Sequence, residues 1–186
     1  MKICFCNGKG GVGKTSLSVL VSLALAQAGK DVSFSDRDGQ RTASQCLGQI
    51  EGTGVTLRES GGDVVIVDTP PNLESDGFLS AVKESDIILL VTSPSPADLW
   101  TSIKTAEILN RLKRKDAIIK LLFNRVVAGS RLEKQREFIV EQIGLTPVRE
   151  VVHQRMAYQM ALLEGWAGLS PEAREEIFRI GLAIIA

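Results

Sequence analysis

The run Gly8-Lys9-Gly10-Gly11-Val12-Gly13-Lys14-Thr15 constrains this chain more than any other part of it. Before it, Ile3 to Cys6 is a short apolar run that ends at Asn7-Gly8. After it, a helical pattern runs from Lys14 to Ala28 and stops at Gly29. Strand, glycine loop and helix, in that order, are the context in which the spacing GxxxxGK[ST] cradles phosphate. Glycines let successive backbone N–H groups turn inward without a Cβ in the way, and the N-terminal end of the following helix adds positive potential. The spacing therefore predicts a phosphate cradle of Gly8, Lys9, Gly10, Gly11, Val12, Gly13, Lys14, Thr15 and Ser16. Lys14 is expected to reach the outer phosphates of a nucleoside triphosphate, and the Thr15 hydroxyl to hold Mg2+.

The remaining pattern alternates. Val32 and Phe34 alternate with Ser33 and Ser35, while Asp63 to Asp68, Ile87 to Val91 and Ile118 to Phe123 carry continuous apolar runs. Such runs suit strands buried on both faces of a parallel sheet. Helical stretches fall at about Asp98 to Lys113, Arg131 to Ile143, Arg155 to Glu164, and from Pro171 to the end, where Ser170 is placed to cap. The expected fold class is α/β, a mostly parallel twisted sheet flanked by helices. Gly48 to Gly62 holds five glycines and is expected to be loop with room for one short helix.

Composition narrows the class by exclusion. A length of 186 residues fits one domain, 1–186. Lys plus Arg and Asp plus Glu both number 22, so net charge argues for no nucleic-acid or acidic partner, although a local basic patch is compatible with it. Three cysteines without a CxxC spacing and one histidine do not make a zinc site or a disulfide framework. Cys4 and Cys6, two apart on a strand, share one face and read as small buried hydrophobes. No apolar run reaches the ~18 residues of a membrane span or forms a signal segment, so a cytoplasmic protein is expected.

Two acidic positions bear on the cradle. Asp68 ends a buried strand and is placed to hold the metal together with Thr15. Asp36 and Asp38, after the second strand, read either as a polar turn or helix cap or as a catalytic segment. A water attacking a terminal phosphate needs an acceptor in line, and charge spreading over the departing oxygens needs lysines and magnesium.

These motifs together resemble one family. Lys9 is an extra lysine inside the loop, and KGGVGKT closely resembles the deviant Walker A box of the ParA/MinD family of partition and positioning ATPases. Asp36-Arg37-Asp38-Gly39-Gln40 looks like the family's DxDPQ segment, with Gly39 where the pattern has proline, and VIVDTPP at Val65 to Pro71 looks like its Walker B region. Thr92 to Pro96 and Phe123-Asn124-Arg125 are similar to later family segments, the second being an adenine-contacting turn. Pro147 to Tyr158, with Arg149 and Arg155, resembles the stretch that contacts adenine and, nearby, non-specific DNA.

The resemblance implies ATP and Mg2+ as ligands, with Asn124, Arg125 and Pro147 near the base. It implies an ATP-dependent homodimer in which Lys9 crosses to the partner's nucleotide, Lys14 binds phosphate and Asp38 orients the attacking water. It further implies a ParB-like stimulating partner or cargo adaptor, non-specific DNA binding by the dimer, a nucleoid-associated location, and segregation of plasmid, chromosome or other cargo. With the first strand beginning at Lys2, operator-specific repression through an N-terminal helix-turn-helix is not expected.

Arg111, Lys113, Arg114 and Lys115, followed by Lys120, Arg125, Arg131, Lys134 and Arg136, could form a DNA-backbone face or could complement a helix dipole. A MinD-like membrane or protein-cargo switch is the alternative. The tail Ile177 to Ala186 has Arg179 as its one basic residue and apolar residues nearly all round, which suits burial against the sheet better than a membrane surface. A small-molecule kinase would leave Lys9 and Asp36 to Gln40 without a task.

Overall fold

A computed structural model describes residues 1–185; Ala186, the last residue of the expected C-terminal helix, lies outside them. Seven strands form one sheet: β1 (Lys2–Cys6), β2 (Val32–Asp36), β3 (Val55–Leu57), β4 (Val64–Asp68), β5 (Ile87–Thr92), β6 (Ile118–Phe123) and β7 (Thr146–Pro147). Their order across the sheet is β3-β2-β4-β1-β5-β6-β7, with every pair parallel. Parallel neighbours need crossovers, and helices supply them. These are α1 (Lys14–Gln27), α2 (Thr42–Gln49), α3 (Asp76–Glu84), α4 (Pro96–Leu112), α5 (Arg136–Ile143), α6 (Ala157–Glu164) and α7 (Pro171–Ile185).

The strand period of two sorts side chains into two cores. Ile3, Phe5, Phe34, Ile66 and Leu89 pack with α1, α6 and α7 on one face. Cys4, Cys6, Val67, Ile88 and Leu90 pack with α3, α4 and α5 on the other. Cys4 and Cys6 thus share a face and are fully buried, as their spacing predicts. The expected strands hold, because β1, β4 and β5 at the middle of the sheet are covered on both sides and must be apolar throughout.

Four elements depart from the sequence reading. Inside Gly48 to Gly62, Val55–Leu57 adds an edge strand on β2, pairing Val32 with Val55 and Phe34 with Leu57. Its three residues are too few and too exposed to show against the flanking glycines. The short helix allowed for that stretch lies earlier, as α2, and ends at Gln49. Helix α3 is not foreshadowed, since Gly77 sits in its first turn. Nevertheless Ser75 caps it, accepting from Phe78 N at 3.3 Å, and Phe78, Ala81 and Val82 are buried. The expected stretch Arg131 to Ile143 becomes a 3-10 turn at Glu133–Gln135 followed by α5.

Chain ends behave as capping chemistry requires. Gly29 has φ 79° and follows α1, its N–H donating to Ala26 O while Lys30 N donates to Leu25 O. Ser170 accepts from Ala173 N at 3.3 Å at the start of α7. Ile177, Ile180 and Ile184 of α7 are buried, and Gly181 lies against Leu25 of α1, so the tail packs chiefly on α1 and less on the sheet itself. No helix among the described residues is long and apolar enough to cross a membrane.

Candidate functional site

The glycine loop leaves β1 at the C-terminal edge of the sheet, where ligands of open parallel sheets bind. Gly11 (φ 77°) and Gly13 (φ 98°) take left-handed backbone that other residues adopt only with strain. Gly13 is doubly constrained, since any Cβ there would overlap the Asn124 amide. That amide donates to Val12 O at 2.8 Å, so Asn124 braces the loop from behind. A buried polar set braces the loop's entrance: Asn7 Nδ2 donates to Val91 O (2.7 Å) and Ser102 Oγ (3.1 Å), and Gly8 N donates to Thr105 Oγ1 (3.2 Å).

Inside the loop lies a cavity of about 370 Å³ lined by Gly10, Gly11, Gly13, Lys14, Thr15, Ser16, Asp38, Gln40, Pro71 and Arg125. Lys14 spans it, its Nζ donating to Lys9 O at 3.2 Å. Burial lowers the Lys14 pKa, with Asp68 pulling the other way. Thr15 Oγ1 donates to Asp68 Oδ2 at 2.7 Å. Asp68 is fully buried and its Oδ1 has no hydrogen-bond partner among the described residues. Burial pushes this carboxyl up to about 7, although the Thr15 hydroxyl works to lower it. A buried carboxylate oxygen without a donor is costly unless something else satisfies it. A hard divalent cation beside a threonine hydroxyl would do so, and the donor set fits Mg2+.

Asp36 and Asp38 are separated by their surroundings. Asp36, 3% exposed, accepts from Ser44 N (2.8 Å) and Asp38 N (3.2 Å), so it anchors α2 and the loop before it. Asp38 turns its side chain to the cavity and accepts from Gln40 N at 3.0 Å. Lys9 does not enter the cavity. Its ammonium pairs with Asp98 in the first turn of α4 and donates to Ala97 O at 3.3 Å. Asp98 is itself held by Ser93 Oγ at 2.6 Å.

A second cavity, of about 420 Å³, adjoins the first through Gly13, Ser16 and Arg125. Leu17, Leu20, Asn124, His153, Gln154, Arg155, Tyr158 and Gln159 complete its walls. Glu176 of α7 organises this wall. It accepts from His153 N (2.7 Å), Arg155 Nη2 (2.9 Å) and Tyr158 OH (2.7 Å). Burial opposes its charge, but donation from Tyr158, His153 and Arg155 prevails and keeps its pKa below the ordinary value.

The structure thus brings together Gly10, Gly11, Gly13, Lys14, Thr15, Ser16, Asp38, Asp68, Asn124 and Arg125. Gly8 and Val12 form the loop's frame, and Pro147 on β7 lies outside both cavities. Arg155 borders the second cavity with its guanidinium committed to Glu176, and it also lines a neighbouring hollow that it shares with Arg149, Arg136, Arg179 and Glu172. Within the basic cluster, Arg114 pairs with Asp86 and Lys113 donates to Ala117 O at 2.9 Å, so part of its charge is already spent on the fold. Gln154 and Tyr158 fall within the Pro147 to Tyr158 stretch marked by the family resemblance, whereas sequence reasoning missed Gln159 and Glu176, which carry no local motif, and also Asp98, whose pairing with Lys9 spans 89 positions of chain and shows only in three dimensions.

Comparison with known proteins follows this geometry. A family model, CbiA, the CobQ/CobB/MinD/ParA nucleotide binding domain, matches residues 3–165. Maintenance of carboxysome distribution protein A of Gloeobacter kilaueensis is 31% identical over 201 residues, covering 95% of this chain and 90% of that protein. Its namesake from Halothiobacillus neapolitanus is 28% identical over 182 residues, covering 88% and 84%. Among solved structures, an ATP complex of a Cyanothece McdA variant superposes with TM-score 0.80 at 15% identity, covering 98% of this chain and 95% of the other. The MinD cell division protein of Aquifex aeolicus gives 0.77 at 19% identity, with 99% and 96% covered. At these identities the structural likeness shows the fold.

Proposed function

Because this chain belongs to the CobQ/CobB/MinD/ParA nucleotide-binding family of ATPases, we propose that residues 1–186 act as one ATP-hydrolysing positioning ATPase that dimerises on ATP and distributes a cargo inside the cell. The observation that carries this reading is the pair of joined cavities, one lined by the glycine loop, Lys14 and Thr15 with Asp68 hydrogen-bonded behind Thr15, the other by side chains suited to a base and sugar.

In this reading the loop and Lys14 bind the β- and γ-phosphates, and Thr15 and Asp68 hold Mg2+, which would neutralise charge on the transferred phosphoryl group. Asp38, facing the first cavity, orients the attacking water. Asn124 and Arg125 border the nucleoside. Lys9, drawn outward to Asp98, is available to a second subunit once that pair opens, which accords with a role across a dimer interface. ParB-like partners or cargo adaptors would then accelerate hydrolysis and release the subunits.

The relatives named for carboxysome distribution support a protein-body cargo ahead of plasmid or chromosome segregation. Non-specific DNA would serve as the track, held in the ATP state through exposed cations such as Arg149, with Arg155 contributing only what its pairing with Glu176 leaves free, and would make the protein nucleoid-associated. Co-sedimentation with random-sequence duplex over a salt series, in ATP, ADP and no nucleotide, tests this. ATP-selective, salt-sensitive binding is expected. Binding to anionic vesicles in ATP with none to DNA would instead establish the MinD-like alternative.

A further inference from the structure

Arg37 stands between the two aspartates of the 36–40 segment, yet its side chain points away from both cavities and is only 13% exposed. Its contacts reach four residues in three parts of the fold. Nε donates to Ser35 Oγ on β2 at 3.3 Å. Nη1 donates to Ser80 Oγ on α3 at 2.7 Å and to Glu84 Oε1 at 3.2 Å. Nη2 donates to Glu84 Oε2 at 2.7 Å and to Glu59 Oε2, beyond β3, at 3.4 Å. Glu84 Oε2 also accepts from Lys2 Nζ of β1 at 2.8 Å. The two-pronged pairing with Glu84 fixes the guanidinium plane as well as its position. Hydrogen bonds from Arg37, then Lys2, hold the Glu84 carboxyl at about 2.

The backbone of Arg37 is pinned as tightly as its side chain. Its N–H donates to Asp68 O at 3.0 Å, which ties it to the end of β4. Its carbonyl oxygen presses on the first turn of α3, where a Cβ added to Gly77 would stand 2.7 Å away. Only glycine lets the two segments approach so closely. The residue next in sequence is Asp38, in the first cavity. The segment that Arg37 grips on its other side runs from Asp68 through Pro71, also at that cavity, to α3.

We propose that Arg37 is a positioning residue: it locks the 36–41 loop to the Asp68–α3 segment, so that Asp38 and Asp68 approach the terminal phosphate as one rigid unit. Arg37 does not touch the nucleotide. Its effect is on where Asp38 stands when water attacks, and misplacement of such a group by an ångström can cost a rate about 10²-fold. This rests on the ATPase reading for the task of Asp38, but the locking itself does not depend on nucleotide.

The test uses the full chain as wild type, Arg37→Met, Arg37→Lys and Glu84→Gln. Hydrogen exchange of peptides covering 36–44 is followed without nucleotide, beside ADP affinity and ATP turnover. In Arg37→Met, exchange in 36–44 is expected to rise about 10-fold while the β1, β4 and β5 peptides stay unchanged. ADP affinity should stay within about twofold and kcat fall about 10-fold or more. Arg37→Lys should restore part of kcat, and Glu84→Gln should move the same readouts less far. Unchanged exchange in 36–44 in both Arg37→Met and Glu84→Gln overturns the inference. So does faster exchange through the whole sheet in Arg37→Met with no local effect in Glu84→Gln, which would make Arg37 a general brace of the fold. A wild type that neither binds nor hydrolyses ATP defeats the ATPase reading, and the exchange result still decides the locking.

Discussion

The two joined cavities share Gly13, Ser16 and Arg125 but are built in opposite ways. The first is mostly backbone: a contiguous glycine loop, Gly10, Gly11 and Gly13, lines it, with the Lys14 and Thr15 side chains on its wall and the buried Asp68 carboxyl behind Thr15. The second is mostly side chain, assembled from α1, the end of β6, the segment at 153–155 and α6, and held in place from behind by Glu176 of α7. A backbone cradle recognises what all nucleoside triphosphates have in common. A side-chain wall can discriminate among bases, and it can be changed without loss of the cradle. The same division explains why Asp36 and Asp38, two residues apart, do different work. One carboxylate is consumed in holding backbone, while the other is left facing the cavity.

If that contrast is right, damage to the cradle should abolish binding of every nucleotide alike. Lys14→Ala is the severest case: ATP and ADP affinity, measured calorimetrically, should both fall about 100-fold, since a buried charge-assisted contact to phosphate is lost. Gly13→Ala should harm both cavities, because a Cβ meets Asn124 and the backbone is held at φ 98°. A strain cost of about 2 kcal/mol corresponds to a melting temperature lower by roughly 5 °C, with weaker ATP binding. A melting temperature and affinity equal to wild type would show that the loop is far more pliable than described.

Changes to the side-chain wall should alter selectivity instead. Arg155→Ala is expected to shift the ratio of ATP to GTP affinity by about 5-fold while competition by inorganic triphosphate stays the same, because its loss frees Glu176 and Tyr158 to move. An equal loss for all three ligands would erase the distinction between the cavities. The smallest effect is a pH dependence in Glu176→Gln. The folded carboxyl titrates below its ordinary value, so its ionised form stabilises the wild type above the usual carboxylate range, and that contribution is lost as pH falls through the lowered folded value. The difference in melting temperature between wild type and variant should therefore be present at pH 7 and close under strong acid.

The cradle was legible in the sequence because everything it needs is adjacent: strand, glycines, lysine, threonine and helix follow one another without a gap. Asp68 was legible for a related reason, as the polar end of an uninterrupted apolar strand. Asn124, Arg125 and Tyr158 could be placed only through family likeness, and Glu176 and Asp98 not at all. Their partners lie 18, 21 and 89 positions away, and no periodicity marks such pairings. In the fold, β3 and α3 escaped notice because each has a glycine where a pattern would start. For Gly77 the cause is now visible as the close passage of Arg37 O.

The central claim is that ATP joins two subunits through this loop. The most direct measurement is the solution mass of wild type and Lys9→Ala by light scattering, each in ATP, in ADP and without nucleotide, with Mg2+ present. The account predicts a wild-type dimer in ATP alone and a Lys9→Ala monomer throughout, with ATP still bound. A wild type of the same mass in all three states, or a Lys9→Ala protein that dimerises as readily as wild type, would contradict it.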